Sequence, residues 1–199
     1  SFLDYNDNSI NICSSSQIWC VESCSFCATW DKKFIKNLTV EQLVNEFLDW
    51  LNCFDNINWN KIETAYIIME WMWEASYNIK NVFNALLKLY HYIKDKYKKI
   101  VFRISTTWNI KLVEDYINFI EKNKEILKNI EFQFQISLHN PINEERIKLI
   151  PKLSIKYKIE EILENFYKLS DYLNTKLKCN YLLLNYPEWW NNYSQKHLD

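Results

Sequence analysis

Short apolar runs alternate with longer amphipathic segments along most of the chain. Four apolar runs predict buried strands, and they lie at 65–69, 100–105, 130–138 and 179–184. Apolar residues at helical spacing predict four helices, over 79–97, 110–122, 159–173 and from Thr39 to about Leu51. This alternation of strand and helix predicts βαβ units and a parallel sheet, so the fold class is α/β. A doubly wound sheet and a (βα) barrel fit the pattern equally well.

Polar side chains follow several of the predicted strands directly. Glu74 comes shortly after the first apolar run, Ser105 ends the second, and Ser137 and His139 close the third. In both parallel architectures the active face lies at the carboxyl ends of the strands. We therefore expect these four side chains to share one edge of the sheet and to belong to a functional site.

Composition and charge exclude several classes of protein. The chain has 199 residues and a net charge of −1. It contains no apolar run long enough for a spanning helix, no secretory signal and no strongly basic tail for nucleic acid. We expect a cytoplasmic protein with no membrane partner. Because it begins at Ser1 and stops at Asp199 after a polar run, we expect it to be a piece of a longer chain.

Three of the six cysteines crowd into one short segment, as Cys20, Cys24 and Cys27. Thiols stay reduced in the cytosol, which disfavours a disulfide framework. A structural zinc site needs four ligands, usually in two separated pairs, and no second pair accompanies these thiols. Three thiolates with one iron left open suit a [4Fe–4S] cluster better, with zinc as the alternative.

Six segments form candidate motifs, and several of them contain tryptophan. They are CSSSQIWC at 13–20, CSFCATW at 24–30 followed by Phe34 and NLT at 37–39, MEWMWEASYN at 69–78, STTW at 105–108, SLHNPINEER at 137–146 and IP at 150–151. In sequence and order they resemble the motifs of the RlmN/Cfr family of radical S-adenosylmethionine (radical-SAM) RNA methyltransferases. The resemblance covers nearly the whole chain.

This resemblance implies a fold, two cofactors and a set of site residues. The fold is a parallel (βα)-repeat that forms a partial TIM-type radical-SAM barrel. Cys20, Cys24 and Cys27 would hold the [4Fe–4S] cluster, and Cys13 would be the cysteine that resolves a protein–RNA adduct. The residues implied in binding S-adenosylmethionine (SAM) are Trp73 (standing for Gly), Glu74, Ser105, Ser137, Leu138 and His139.

The resemblance also implies an activity and partners. Family members methylate carbon 2 of an adenine in 23S rRNA and often in tRNA, and draw electrons from a donor such as flavodoxin. A relative acting at carbon 8, another radical-SAM enzyme, or a non-catalytic metal- or RNA-binding remnant are the alternatives. The methyl-carrying cysteine would lie beyond Asp199, and the family's N-terminal RNA-binding domain is absent. Residues 1–199 are thus interpreted as one incomplete radical-SAM core domain.

Glycine is absent from the chain, whereas tryptophan occurs nine times. Tryptophan stands where the family has glycine at five positions, namely Trp19, Trp30, Trp71, Trp73 and Trp108. Our hypothesis is that UGA codons read as glycine in the source bacterium were translated as tryptophan; a decayed copy of the gene is the alternative. An indole at position 71 or 73 is expected to crowd the SAM pocket.

Overall fold

A computed structural model describes residues 8–52, 61–70, 73–174 and 178–181, together with the backbone of residues 2–5. Trp71 and the predicted strand residues 182–184 lie outside this part of the chain, as does Cys53.

The centre of the fold is a six-stranded sheet in the order β1-β2-β5-β6-β7-β8. Its strands are β1 (Phe2–Tyr5), β2 (Ser9–Ser14), β5 (Thr64–Met69), β6 (Lys99–Thr106), β7 (Ile130–Ser137) and β8 (Lys178–Asn180). β1 is antiparallel to β2, and the other neighbours are parallel. From β2 onward each described strand pairs with the next strand of the sheet in chain order. A doubly wound sheet would reverse direction at a switch point, so this order is that of a partial barrel.

Seven α-helices, a short 3₁₀ helix (Ala75–Asn78) and a small hairpin complete the regular elements of the described structure. The helices are α1 (Val40–Asn52), α2 (Ile79–Ile93), α3 (Lys111–Lys122), α4 (Lys124–Leu127), α5 (Asn143–Leu149), α6 (Pro151–Lys156) and α7 (Ile159–Leu173). The hairpin pairs β3 (Gln17–Ile18) with β4 (Lys36–Asn37). Within the described ranges, no helix has both the length and the apolar character needed to cross a membrane.

The predicted elements agree closely with the structure where their sequence signal is strong. Helix α7 has the predicted bounds, and the three long parallel strands deviate by one residue at most. The expected capping box is present: the backbone N–H of Thr39 donates to Gln42 Oε1 at 3.1 Å, and Gln42 N–H donates to Thr39 Oγ1 at 3.3 Å. The helix predicted to reach Tyr97 ends at Ile93, where the chain tightens into a turn.

The two faces of the sheet differ in character. Alternate residues, such as Ile100, Phe102 and Ile104 of β6, join residues of the long helices in one apolar core. The opposite face carries polar side chains. There the Arg103 guanidinium lies 5.5 Å from the Tyr66 ring centroid, and Arg103 Nε donates to Gln133 Oε1 at 3.0 Å. The helices therefore cover one face of the sheet, and a polar interior faces the other way.

Candidate active site

A cavity of about 690 Å³ lies at the carboxyl ends of the parallel strands. This volume falls within the range of roughly 300–1,000 Å³ typical of ligand pockets. Its wall combines the ends of β5 to β8 with the segment that carries Cys20, Cys24 and Cys27, which we name the cysteine loop. The lining residues are Cys20, Glu22–Cys24, Phe26–Trp30, Glu70, Trp73, Glu74, Ser105–Thr107, Ser137, His139 and Cys179–Tyr181. The structure thus brings the four strand-end residues singled out by sequence, Glu74, Ser105, Ser137 and His139, together with the three clustered cysteines.

The cysteine loop is closed at its base by the short β3–β4 hairpin. Two further bonds fasten the loop to the region of α5 and α6: Ser25 N–H donates to the Leu149 carbonyl at 2.9 Å, and Leu153 N–H donates to Glu22 Oε2 at 3.1 Å. The side chain of Glu22 is completely buried. Burial raises the pKa of its carboxyl group above the ordinary value. The loop is therefore held against the helices at its middle as well as at its base.

The three cysteines of this loop fit an iron–sulfur cluster. All are free thiols that line one cavity. Burial raises the pKa of Cys20 to about 12 and the pKa of Cys24 further still, so both are neutral without a cationic partner. No three His, Cys, Asp or Glu side chains of the described chain converge as around a single ion. In a [4Fe–4S] cluster each thiolate binds a different iron, so the sulfurs surround the group instead of meeting at a point.

Several hydrogen bonds within the protein fix the side chain of Glu74. Its side chain is buried, and the carboxylate accepts hydrogen bonds from Thr106 Oγ1, from Thr107 N–H at 2.7 Å, from Thr107 Oγ1 at 2.8 Å and from Ser76 N–H at 3.1 Å. These bonds tie the end of β6 to the segment that follows β5. A direct contact between Glu74 and SAM stays a prediction, and the structure adds a positioning role.

The end of β7 alternates between the cavity and the protein interior. Ser137 and His139 line the cavity, whereas the predicted SAM-binding residue Leu138 does not. Successive residues of an extended chain point to opposite sides, which turns Leu138 away. Leu138 stays a predicted SAM-binding residue, although its side chain does not line this cavity. Ser105, at the end of β6, does line the cavity, and its hydroxyl donates to Gln135 Oε1 at 3.3 Å.

His139 presents a neutral ring to the cavity. Its side chain packs edge-on against Phe26, with ring centroids 4.7 Å apart. Burial, reinforced by the nearby positive charge of Arg146, lowers the pKa of His139 to about 4. At neutral pH the imidazole is therefore uncharged and has one acceptor nitrogen.

Cys13 lies beside the cavity without lining it. The residue is almost completely buried near the end of β2, and its thiol donates to the carbonyl of Glu70 at 3.5 Å. Burial raises the pKa of Cys13 to about 11, which keeps it a protonated thiol. Glu70 itself lines the cavity. One residue thus connects the thiol to the cavity wall.

The tryptophans at the family's glycine positions differ in their surroundings. Trp73 lines the cavity, and its Nε1 donates to the carbonyl of Ser14 at 3.2 Å. A cavity of about 690 Å³ lies beside this indole, so Trp73 does not fill the pocket as expected. Position 71 lies outside the described residues.

Two of these tryptophans occupy backbone conformations that favour glycine. Trp19 has φ 59° and Trp108 has φ 75°, and the left-handed region is strained for a bulky residue. Trp108 is also fully buried between Phe134 and Phe166, and in the described structure its indole N–H has no hydrogen-bond partner. A buried donor without a partner costs stability. Both observations support the hypothesis that glycine belongs at these positions.

We expect the glycine variant to be more stable than the alanine variant at position 19 and less stable than it at position 50. At Trp19 both variants remove the indole, but only glycine relieves the positive φ, so Trp19→Gly should be more stable than Trp19→Ala by about 1 kcal/mol. Trp50 lies within α1, where glycine costs about 1 kcal/mol relative to alanine. Urea denaturation of the four variants measures both differences. The same order at both positions would contradict the assignment of Trp19 as a glycine site.

Arg146, in α5, is the largest contributor to the site that sequence reasoning did not single out as functional. Its side chain is completely buried. It donates to backbone carbonyls at the ends of β6 and β7: Nη2 to Thr107 at 2.9 Å and to Ser137 at 3.2 Å, and Nε to Leu138 at 3.1 Å. Nothing local in the sequence separates a buried arginine from a surface one.

Asn180 is a second missed residue, at the end of β8 and in the cavity wall. Its carbonyl accepts hydrogen bonds from the backbone N–H groups of Leu138 and His139 at 3.1 and 3.4 Å. The predicted fourth strand runs from residue 179 to residue 184, which puts Asn180 near its start, so the strand-end rule did not single it out.

The chain is similar to curated RNA methyltransferases. No family model matches it. It is 26% identical over 189 residues to the "Probable dual-specificity RNA methyltransferase RlmN" of Thermosipho melanesiensis, covering 92% of this chain and 51% of the relative. The protein of the same name from Caldicellulosiruptor saccharolyticus is 30% identical over 174 residues, with 87% of this chain and 46% of the relative covered. The chain thus spans about half the length of the curated relatives it matches.

A solved structure has the same fold. A crystal structure of a radical SAM methyltransferase from Sphaerobacter thermophilus matches with a TM-score of 0.74 and 19% sequence identity, covering 92% of this chain and 50% of that one. The likeness agrees with the partial barrel described above.

Proposed function

We propose that this RlmN/Cfr-like chain forms the cluster- and SAM-binding part of a radical-SAM RNA methyltransferase that methylates carbon 2 of an adenine in 23S rRNA and tRNA. One observation carries the proposal: three free cysteines and the ends of four parallel strands line the same cavity of ligand size. The curated relatives named RlmN support the assignment of the RNA class of substrate.

Cys20, Cys24 and Cys27 are the residues that would hold the cluster. When bound, a [4Fe–4S] cluster of this kind supplies the electron for reductive cleavage of SAM. The protein's task is then to place SAM beside the three thiolates and to keep water away. The buried, neutral Cys20 and Cys24 thiols must lose their protons on binding iron, so loading of the site releases protons.

The remaining cavity residues supply orientation. Ser105 and Ser137 bring polar groups to the strand ends, and the neutral His139 ring adds an acceptor beside the face of Phe26. Glu74 fixes the strand ends from which these groups project. Such pre-formed polar groups in a mostly apolar cavity are what orients a small ligand.

Cys13 is proposed to resolve the protein–RNA adduct. Its thiol is outside the cluster set and one residue away from the cavity wall. Because burial holds Cys13 protonated, its reaction requires a base or a local opening that lowers its pKa. This role distinguishes the proposed methyltransferase from another radical-SAM enzyme built on the same barrel.

The test compares Cys13→Ala with the unchanged sequence in the full-length enzyme, reconstituted anaerobically with iron and sulfide. We expect unchanged iron content and 5′-deoxyadenosine formation, and at least about a 100-fold loss of methylated adenine. Cys53→Ala, at a cysteine outside every motif, serves as the control. Mass spectrometry of the nucleosides separates methylation at carbon 2 from methylation at carbon 8.

Two results would overturn the proposal. Zinc in place of iron and sulfide would favour a non-catalytic metal-binding remnant. Full methylation by Cys13→Ala would remove Cys13 from the reaction and favour a different radical-SAM chemistry.

A further inference from the structure

Residues 30–36, which we name the rim loop, continue from the cavity wall: Trp30 lines the cavity, and the chain runs from there to β4. All seven residues are exposed, among them two large apolar side chains next to each other, Phe34 at 42% and Ile35 at 61%. Adjacent exposed apolar side chains beside a functional cavity mark an interaction surface more often than a random feature. Because Trp30 is one of the glycine-type positions, the inference does not depend on it.

The rim loop is firmly attached at both ends. On the amino side it continues directly from Thr29, which is buried and lines the cavity. On the carboxyl side it ends in β4, and Ile35 N–H donates to the Ile18 carbonyl at 3.0 Å. A molecule lying on this loop would therefore lie at a fixed place next to the cavity mouth.

The rim loop is locally basic in a chain whose net charge is −1. It contains Lys32, Lys33 and Lys36 against a single acid, Asp31. Lys32 forms an exposed ion pair with Asp31 at 3.4 Å, and such a pair contributes little. Within the described residues neither Lys33 nor Lys36 forms an ion pair. Two ammonium groups thus remain available for an anionic partner beside an exposed aromatic ring.

We propose that the rim loop binds unpaired nucleotides of the RNA substrate next to the base that enters the cavity. This inference rests on the proposed function, because it takes RNA as the substrate. Lysines that follow a phosphate backbone, with an aromatic ring on which a base can stack, are the combination found where proteins bind single-stranded nucleic acid. A base must leave its stack before it can enter a cavity, and it does so at the lowest cost where the strand around it is already unpaired. The lysines favour this occupant over an apolar protein partner.

The experiment measures binding of a fluorescein-labelled single-stranded oligoribonucleotide to the full-length enzyme by fluorescence anisotropy at several salt concentrations. The test variant is Lys32→Ala/Lys33→Ala/Lys36→Ala. The matched control, Lys94→Ala/Lys96→Ala/Lys98→Ala, removes the same charge between α2 and the start of β6, the end of that strand remote from the cavity.

We expect the test variant to raise Kd about tenfold or more and to reduce the slope of log Kd against log salt concentration by about 1.4, since each of the two available lysines contributes roughly 0.7. Phe34→Ala should raise Kd about tenfold with an unchanged slope, because it removes stacking and no charge. The control triple variant should show no more than half of this change, with Kd at most about threefold above that of the unchanged enzyme.

An unchanged Kd and slope in the test variant, or equal losses in both triple variants, would overturn the inference and leave the rim loop as a contact for a protein. Formation of 5′-deoxyadenosine by the reconstituted variants reports separately on the cavity. If the unchanged enzyme forms none, the proposed function fails, while the comparison of RNA binding still decides the role of the rim loop.

Discussion

Replacing Arg146 by methionine is expected to lower the free energy of unfolding by about 3 kcal/mol. The guanidinium is completely buried and donates to four acceptors, three of them carbonyls at the ends of β6 and β7 and the fourth Ser154 Oγ at 2.8 Å. Methionine fills much of the volume but satisfies none of these groups. Each buried acceptor left without a donor costs about 1–3 kcal/mol, although such costs are not additive.

The effect of Arg146→Met is measured by urea denaturation next to Lys148→Met. Lys148 lies on the same helix, but it is exposed and pairs with Glu145 at 2.8 Å. Its replacement should change the free energy of unfolding by no more than about 0.5 kcal/mol. A loss below about 1 kcal/mol for Arg146→Met would show that the strand ends keep their positions without the arginine. Burial lowers the pKa of Arg146 only to about 10, so the group stays charged at neutral pH.

The second large effect is expected for Cys24→Ser. Cys24 is the most buried of the three loop cysteines and packs against Leu149 and Ile150. Serine keeps the shape but supplies an oxygen in place of the soft thiolate that iron–sulfur clusters use. We expect the variant to lose the cluster and at least about 100-fold of its 5′-deoxyadenosine formation.

Iron and sulfide content after anaerobic reconstitution measures the first part of this effect, and product analysis the second. Cys13→Ser, which removes a thiol outside the cluster set, should retain both iron and sulfide. Retention of a complete cluster by Cys24→Ser would mean that another group replaces Cys24, and the assignment of the three ligands would be wrong.

The sequence predicted those parts of the fold whose signal is local. The apolar runs that became β5 and β6 are largely buried, β7 has apolar residues at alternate positions, and the capping box at Thr39 needs only four residues. Strand β2 was not predicted, because its apolar residues alternate with polar ones over a short length. Helix α5 was not predicted either, because its seven residues are too few for a helical period to stand out.

The candidate site divides in the same way. The strand-end rule placed Ser105, Ser137 and His139 at one edge, because it depends only on where each strand stops. The bonds between Glu74 and Thr107 and the burial of Arg146 depend on elements far apart in sequence. A single sequence does not specify which of its distant segments meet, so these contacts needed the structure.

The main apolar core of the described chain contains none of the three loop cysteines; Cys24 belongs to a separate small cluster with Leu149 and Ile150. The apolar packing between the sheet and its long helices therefore does not include the three loop cysteines. We therefore expect the polypeptide of the proposed enzyme to fold before iron and sulfide are loaded. Iron starvation would then leave a folded but inactive reserve that is ready for loading, instead of unfolded chains destined for degradation.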